Sequence, residues 1–360
     1  MKTVTVLCID VRLIASGGVG VYIRELLSRL LKLENLKIYL LGNKIKISDF
    51  FNQNEITTIE FNERIFSIRE QVKILSLIPS DTDYFWAPQY NIPILYRGKI
   101  ITTVHDLLHL KSYNKDFSIF KKSVSYLFFK MVSIKSHFIL FNSHFTKNEY
   151  FSIFPNIKVN NAVTHLGVNN IWFCKENNLI SVKRDYFIIV GNIKPHKNLK
   201  FAVESFKKVQ NIVDADLFII GKMNDFITED YDFKRVISTF GDRIKLLGEL
   251  NDEMVRAYVK NSIALVYPSI YEGFGLPPLE AFASGVPVIA SNIASTREVC
   301  GQLPFYFELG SLDSLSALFI KVFNLRKNKM IDTEKLITHS LKYKWDTCFN
   351  NSLSNFCNNN

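Results

Sequence analysis

The stretch Tyr271-Glu-Gly-Phe-Gly-Leu-Pro-Pro-Leu-Glu280, running on through Ala281-Phe-Ala-Ser-Gly-Val-Pro-Val-Ile289, constrains this chain more than any other. Two glutamates, Glu272 and Glu280, flank Gly-Phe-Gly and a double proline. Pro277 and Pro278 suit the first turn of a helix, where a missing backbone N–H costs nothing. The helix is therefore expected to start near Leu276. The N–H groups around Phe274, Gly275 and Leu276 then point out of its positive end, which attracts anions. Glu272 stands in the loop before that helix and Glu280 lies one turn inside it. A phosphate held by the amides, with a carboxylate on each side to accept sugar hydroxyls, is what a nucleotide sugar requires. A capped surface helix with two solvated glutamates has no use for Gly273, Gly275 and Gly285.

The rest of the chain alternates short apolar runs with helical patterns. Val4–Ile9, Leu36–Leu41, Tyr84–Trp86, Ile100–Val104 and Phe138–Phe141 read as strands, with helical stretches at Val21–Leu33, Ile65–Leu77 and Phe117–Ser136. After the polar segment Asn169–Lys183 the pattern restarts. Tyr186–Val190, Leu217–Ile220, Ile244–Leu247, Ile263–Val266 and Val286–Ala290 are strands, and Asn198–Val209, Asp230–Phe240, Asp252–Lys260 and Leu276–Ser284 are helices. Such alternation implies parallel sheets covered on both faces, an α/β fold. At 360 residues the chain is comfortable for two domains. The expected division is 1–178, 179–340 and a C-terminal segment 341–360.

With 48% hydrophobic and 22% charged residues the chain is globular. No run approaches the ~18 consecutive apolar residues of a membrane span. The short apolar segment before Asp10 does not make a signal peptide. Cys8, Cys174, Cys300, Cys348 and Cys357 are scattered without metal or disulfide spacing, as expected of a reduced cytoplasmic protein. The net charge of +10 is not gathered into the basic-aromatic clusters of a nucleic-acid binder. It suits a phosphorylated substrate or an anionic membrane surface, such as the inner face of the plasma membrane. Lys115, Lys121, Lys122 and Lys130 among Phe117, Phe120, Tyr126 and Phe128 make the first domain the expected contact. Asp81-Thr-Asp83 and Asp214-Ala-Asp216 have a D-x-D spacing, but both lie before strands, the wrong edge for a ligand site, so no metal is expected.

The motif in the context EGFGLPPLEAFASGVPVIAS resembles the donor-site signature of retaining glycosyltransferases of family 4. Four further segments stand in that family's order: Gly17-Gly-Val-Gly-Val-Tyr22, Thr103-Val-His-Asp106, Gly191-Asn-Ile-Lys-Pro-His-Lys-Asn198 and Ser295-Thr-Arg-Glu-Val-Cys-Gly301. The resemblance covers most of the chain. It implies the GT-B fold, two Rossmann-like domains with parallel sheets facing across an interdomain cleft, and a C-terminal helix near Trp345 returning to the first domain. It also implies a metal-independent, retaining transfer from a nucleotide-sugar donor, with no cofactor.

Individual roles follow from chain position and from the resemblance together. Gly17, Gly18 and Gly20 follow the first strand. A dinucleotide-binding fingerprint would need G-x-G-x-x-G and an acidic residue ending the second strand, where this chain has Gly42-Asn43-Lys44. The resemblance instead gives Gly17 and Gly18 to the donor diphosphate. His105 and Asp106 end a buried strand at its carboxyl edge, where open sheets bind ligands. The resemblance puts His105 near the donor sugar and Asp106 near the acceptor. His109 reads as a packing residue. His196 and Lys197 make a cationic clamp for a leaving diphosphate, although the family usually carries arginine where His196 stands. Glu272 holds sugar hydroxyls and Glu280 the ribose. Glu298, in Ser295-Thr296-Arg297-Glu298, follows another strand end, and the backbone and hydroxyls of this segment either line the phosphate pocket or, through Ser295, cap a helix. The Ile9–Arg12 segment, the glycine run and the His-Asp pair resemble mannosyltransferases of O-antigen and capsule assembly. They imply GDP-mannose and a glycan or lipid-linked acceptor in cell-surface polysaccharide synthesis. A nucleotide-sugar epimerase of the same fold, or an inactive nucleotide-sugar-binding partner, is the alternative.

Overall fold

The computed structural model describes residues 4–52, 56–111, 119–156, 158–174, 180–222, 230–237 and 239–357. Two compact units emerge. The first gathers residues 1–110, 118–167 and 345–360, and the second residues 111–117 and 168–344. The boundary expected near residue 178 lies outside the described residues, as do Lys115 and Phe117.

The first unit is a seven-stranded parallel sheet: β1 (Thr5–Asp10), β2 (Leu36–Gly42), β3 (Thr57–Glu60), β4 (Tyr84–Ala87), β5 (Lys99–Val104), β6 (Ser136–Phe141) and β7 (Asn160–Val163), in the order β3-β2-β1-β4-β5-β6-β7. Every residue of β1 is buried, as a strand covered on both faces must be. The helix Gly17–Leu30 buries Tyr22, Ile23, Leu26, Leu27 and Leu30 at helical spacing. The short helix Trp345–Asn350 belongs to this unit. Trp345 packs on Tyr22, with ring centroids 6.3 Å apart, and Asp346 pairs with Arg29 at 2.7 Å.

The second unit is a six-stranded parallel sheet: β8 (Tyr186–Val190), β9 (Asp216–Ile220), β10 (Ile244–Gly248), β11 (Leu265–Tyr267), β12 (Val288–Ser291) and β13 (Phe305–Phe307), in the order β10-β9-β8-β11-β12-β13. Its core is aromatic on one face, where Phe319 meets Phe187 and Phe206 edge-on at 4.8 and 5.3 Å. Each unit is Rossmann-like, and the architecture is GT-B.

Strand order reverses between β1 and β4 in the first sheet and between β8 and β11 in the second. A reversal of this kind leaves a crevice at the carboxyl ends of the two diverging strands, the general ligand position in open α/β sheets. Two strands have no apolar run to announce them: β3 (TTIE) and β7 (NNAV) are polar edge strands, whereas the three-residue edge β13 is aromatic (FYF) but short. Edge strands need one buried face at most and resist mispairing when polar.

Candidate functional site

In the second unit, the segments after β8 and after β11 carry the chemistry, and these are the two strands flanking the reversal. The chain leaves β8 through Gly191 and makes a 3-10 turn at Pro195–Lys197. Asn198 then adopts a left-handed conformation (φ 56°) before the helix Leu199–Val209. Sequence reasoning has the helix open at Asn198. The left-handed residue instead separates the turn from the helix, so His196 and Lys197 sit on the turn. The His196 carbonyl accepts the Ile270 N–H at 2.8 Å, tying this turn to the segment after β11.

Lys197 Nζ lies 2.6 Å from Glu272 Oε1, with both side chains more than four-fifths buried. The ammonium also stands 5.4 Å from the centre of the Tyr267 ring. Burial works to raise the Glu272 pKa, but the charges of Lys197 and His196 and hydrogen bonding outweigh it, and the carboxyl is held below its ordinary range. Glu272 is thus an anion locked to a cation across 75 residues of sequence.

The helix Leu276–Ala283 begins where the double proline predicts. Its cap is Gly275 at φ 96°, a left-handed position that favours glycine, and no side chain caps the end. A Cβ at Gly275 would lie 3.0 Å from the Tyr267 hydroxyl, so the loop passes directly over that oxygen. Gly273 and Phe274 are buried in this loop, whereas Gly275 and Leu276 are partly exposed. Glu280 is one turn inside the helix, with its pKa pushed up to about 8 by burial and then by the charge of Asp252.

The segment after β12 corrects one alternative. The helix there is Ala294–Cys300, capped at Ile293 with no side-chain hydrogen bond. Ser295 is inside the helix, so it is not the cap. Ser295 Oγ and Thr296 Oγ1 are both buried without a hydrogen-bond partner.

Gly17, Gly18, His105 and Asp106 belong to the first unit. The glycine run opens a helix, but that helix starts at Gly17 itself rather than at Val21, so the glycines form its first turn. At Gly20 a Cβ would come within 2.6 Å of the Ile14 carbonyl oxygen, which explains that glycine sterically. At Gly18 a Cβ would meet nothing within 4 Å, and Ser16 offers the helix no side-chain cap. An exposed positive helix end is left, which suits an anion. His105 follows β5, contacts the Pro88 carbonyl through Nε2 at 2.8 Å and packs edge-on against Tyr22 at 4.9 Å. Burial lowers its pKa, so the ring is neutral near pH 7. Asp106 Oδ1 accepts the Leu108 N–H at 2.9 Å. His109 packs against Tyr90 through ring and hydroxyl contacts.

The D-x-D carboxylates have structural partners. Asp81 pairs with Lys37 at 2.7 Å, and Asp83 accepts the Val6 N–H at 2.8 Å. Asp214 pairs with Arg184 at 3.0 Å, while Asp216 is shared by Arg243, Lys245 and Arg184 at 2.9, 3.3 and 3.4 Å. Among the described residues no three His, Cys, Asp or Glu side chains gather as a metal site.

Residues 170–335 match the family model described as glycosyl transferases group 1. O-antigen chain mannosyltransferase B of Escherichia coli is 28% identical over 168 residues, covering 45% of this chain and 43% of that protein. O-antigen chain mannosyltransferase RfbU of Salmonella typhimurium is 30% identical over 217 residues, covering 58% and 56%. The chain thus spans about half the length of the curated relatives it matches. Among solved structures, Anabaena HepE in complex with UDP and glucose superposes with a TM-score of 0.76 at 13% identity, covering 96% of this chain and 97% of that one. Residues 170–335, which contain Lys197, Glu272 and Glu280, thus match a group 1 glycosyl transferase domain, in a chain of GT-B fold.

Proposed function

We propose that the protein is a retaining glycosyltransferase that moves mannose from GDP-mannose to a glycan or lipid-linked acceptor in cell-surface polysaccharide synthesis. The observation that carries this reading is the Lys197–Glu272 pair at the strand reversal, beside a helix end that no side chain caps. As the glycosidic bond loosens, negative charge builds on the departing phosphate. Lys197 and His196 and the amides near Gly275 are placed to stabilise it, which makes a metal ion unnecessary. The phosphate oxygen takes the acceptor's proton on the same face of the sugar, so no separate base is needed. Glu272 accepts hydroxyls of the sugar and Glu280 those of the ribose. In the first unit, the open helix end at Gly17 and Gly18 suits an anion, and His105 and Asp106 stand at a ligand edge. The choice of mannose draws on the two O-antigen mannosyltransferases. The test is to incubate the purified protein with a panel of nucleotide sugars and follow thermal shift and slow release of nucleoside diphosphate. GDP-mannose is expected to give the largest response, and a preference for a UDP-sugar would overturn the donor assignment.

A lipid-linked acceptor makes docking to an anionic membrane surface useful, and the first unit offers a surface for it. No helix among the described residues is long and apolar enough to cross a membrane. The helix Ile119–Lys135 carries Lys121, Lys122, Lys130 and Lys135 and no acidic residue. Its Ile119, Phe120, Tyr126, Leu127 and Ile134 are all exposed. The helix Ile68–Leu77 exposes Ile68 and Val72 beside Arg69 and Lys73. The two helices lie on crossovers running the same way along the sheet, so right-handed connection puts them on one face. Apolar side chains and cations facing outward together fit a negatively charged lipid surface, worth about 1 kcal/mol per basic residue. Flotation with anionic vesicles at low salt is expected to carry the protein, and Phe120→Ser with Leu127→Ser to reduce recovery several-fold. Equal recovery with neutral and anionic vesicles would contradict the assignment.

A further inference from the structure

Tyr267 closes β11, two residues before Ser269 and five before Glu272. Its side chain is 2% exposed, and its hydroxyl oxygen has no hydrogen-bond partner. Ser269, fully buried, is in the same condition. Buried polar atoms are almost always paired, and an unpaired one is destabilising. Phenylalanine would fill the same space without that cost. The oxygen is nonetheless well placed: Glu272 and Ser269 are near enough for their side chains to act on it, though neither meets hydrogen-bond geometry, and it lies under the Gly275 backbone. Burial and the Glu272 charge raise its pKa well above the ordinary value, so it keeps its proton and can only be useful to a carboxylate as a donor.

What occupies Glu272 in this structure is Lys197, through Oε1 at 2.6 Å. A donor diphosphate needs the same ammonium. Were Lys197 to turn to a phosphate, Glu272 would lose its cation at a site where carboxylates require compensation. We propose that Tyr267 is a positioning residue whose buried hydroxyl replaces Lys197 on Glu272 when the lysine moves to the donor phosphate. The exchange keeps Glu272 anionic and aimed at the sugar while its former partner binds the leaving group. The lysine slides over the Tyr267 ring it already faces, at 5.4 Å from the centroid, and that ring favours a cation throughout. This inference rests on the proposed roles of Lys197 and Glu272 in donor binding.

The test compares the parent with Tyr267→Phe, Glu272→Gln and the double variant, titrating each with GDP and with UDP and recording melting temperature without nucleotide. In the Tyr267→Phe protein the melting temperature is expected to be unchanged or higher, because the hydroxyl makes no hydrogen bond while Lys197 holds Glu272. Affinity for the preferred nucleoside diphosphate is expected to fall about tenfold, the worth of one hydrogen bond to a charged group. In the Glu272→Gln background the same substitution is expected to have little further effect, since no anion is left to support. A Tyr267→Phe protein that melts lower yet binds nucleotide like the parent would make the hydroxyl a structural group and overturn the inference alone. Undiminished loss of affinity in the Glu272→Gln background would place Tyr267 on the nucleotide itself and overturn the inference as well. If the parent binds neither nucleotide, the donor-site reading falls, and this inference with it.

Discussion

Lys197→Met is expected to lower the rate of nucleotide-sugar turnover by about 10²–10³-fold, the range for removing one preorganised group that stabilises charge in the transition state. In the proposed site the lysine is a single point charge supported by His196 and by backbone amides. Methionine keeps the apolar stem over the Tyr267 ring and removes only the cation. The substitution also strips Glu272 of the partner 2.6 Å away, and the carboxyl pKa rises because burial is then opposed by less positive charge. Lys197→Arg is not expected to rescue fully, since the planar fork does not fit where one ammonium sits between a carboxylate and a ring. Steady-state release of nucleoside diphosphate measures the effect. A variant within threefold of the parent would remove Lys197 from the reaction.

Glu280→Ala is expected to weaken nucleotide binding about tenfold to a hundredfold above pH 8, where the carboxyl is ionised and a hydrogen bond to it is worth about 1.5–3 kcal/mol, and by less below it, where the carboxyl is neutral. The same residue leaves a signature in stability. With a folded-state pKa pushed up to about 8 against an unfolded value near 4.5, the native protein keeps a proton that the unfolded chain releases. The native state therefore binds more protons between these values, and stability falls as pH rises from about 4.5 to about 8, then levels. Glu280→Gln cannot titrate and is expected to flatten that fall. Urea unfolding at pH 5, 6, 7 and 8 compares the two. Parallel profiles would mean that Glu280 is not the group responsible.

The central strands are legible in the sequence because parallel strands covered on both faces carry nearly continuous apolar runs, as β8 does throughout and β1 and β5 do over most of their length. The start at Leu276 is legible because two prolines tolerate only a first turn. β3 and β7 are invisible because an edge strand has no such requirement. The glycine run misleads in a definite way. Glycine suits both a loop and the first turn of a helix, and the close approach of Gly20 to the nearby Ile14 carbonyl, which requires glycine there, is visible only in the folded backbone. The site itself is legible by residue type but not by partnership. Lys197 and Glu272 stand out separately, yet nothing local joins residues 75 apart. The adjacency of β8 and β11 joins them, and it belongs to sheet order rather than to either motif. Tyr267 and Ser269 pass unnoticed because an isolated hydroxyl at a strand end carries no pattern. Only their burial without partners singles them out.

The most direct measurement of the central claim is calorimetric titration of the parent and Lys197→Met with GDP-mannose, UDP-glucose and mannose alone. The account predicts saturable binding of GDP-mannose at one site in the parent, weaker binding of UDP-glucose, none of free mannose, and a Lys197→Met protein that is folded but binds at least tenfold more weakly. Absence of binding by the parent to either nucleotide sugar at millimolar concentration, or equal affinity in the folded Lys197→Met protein, would contradict it.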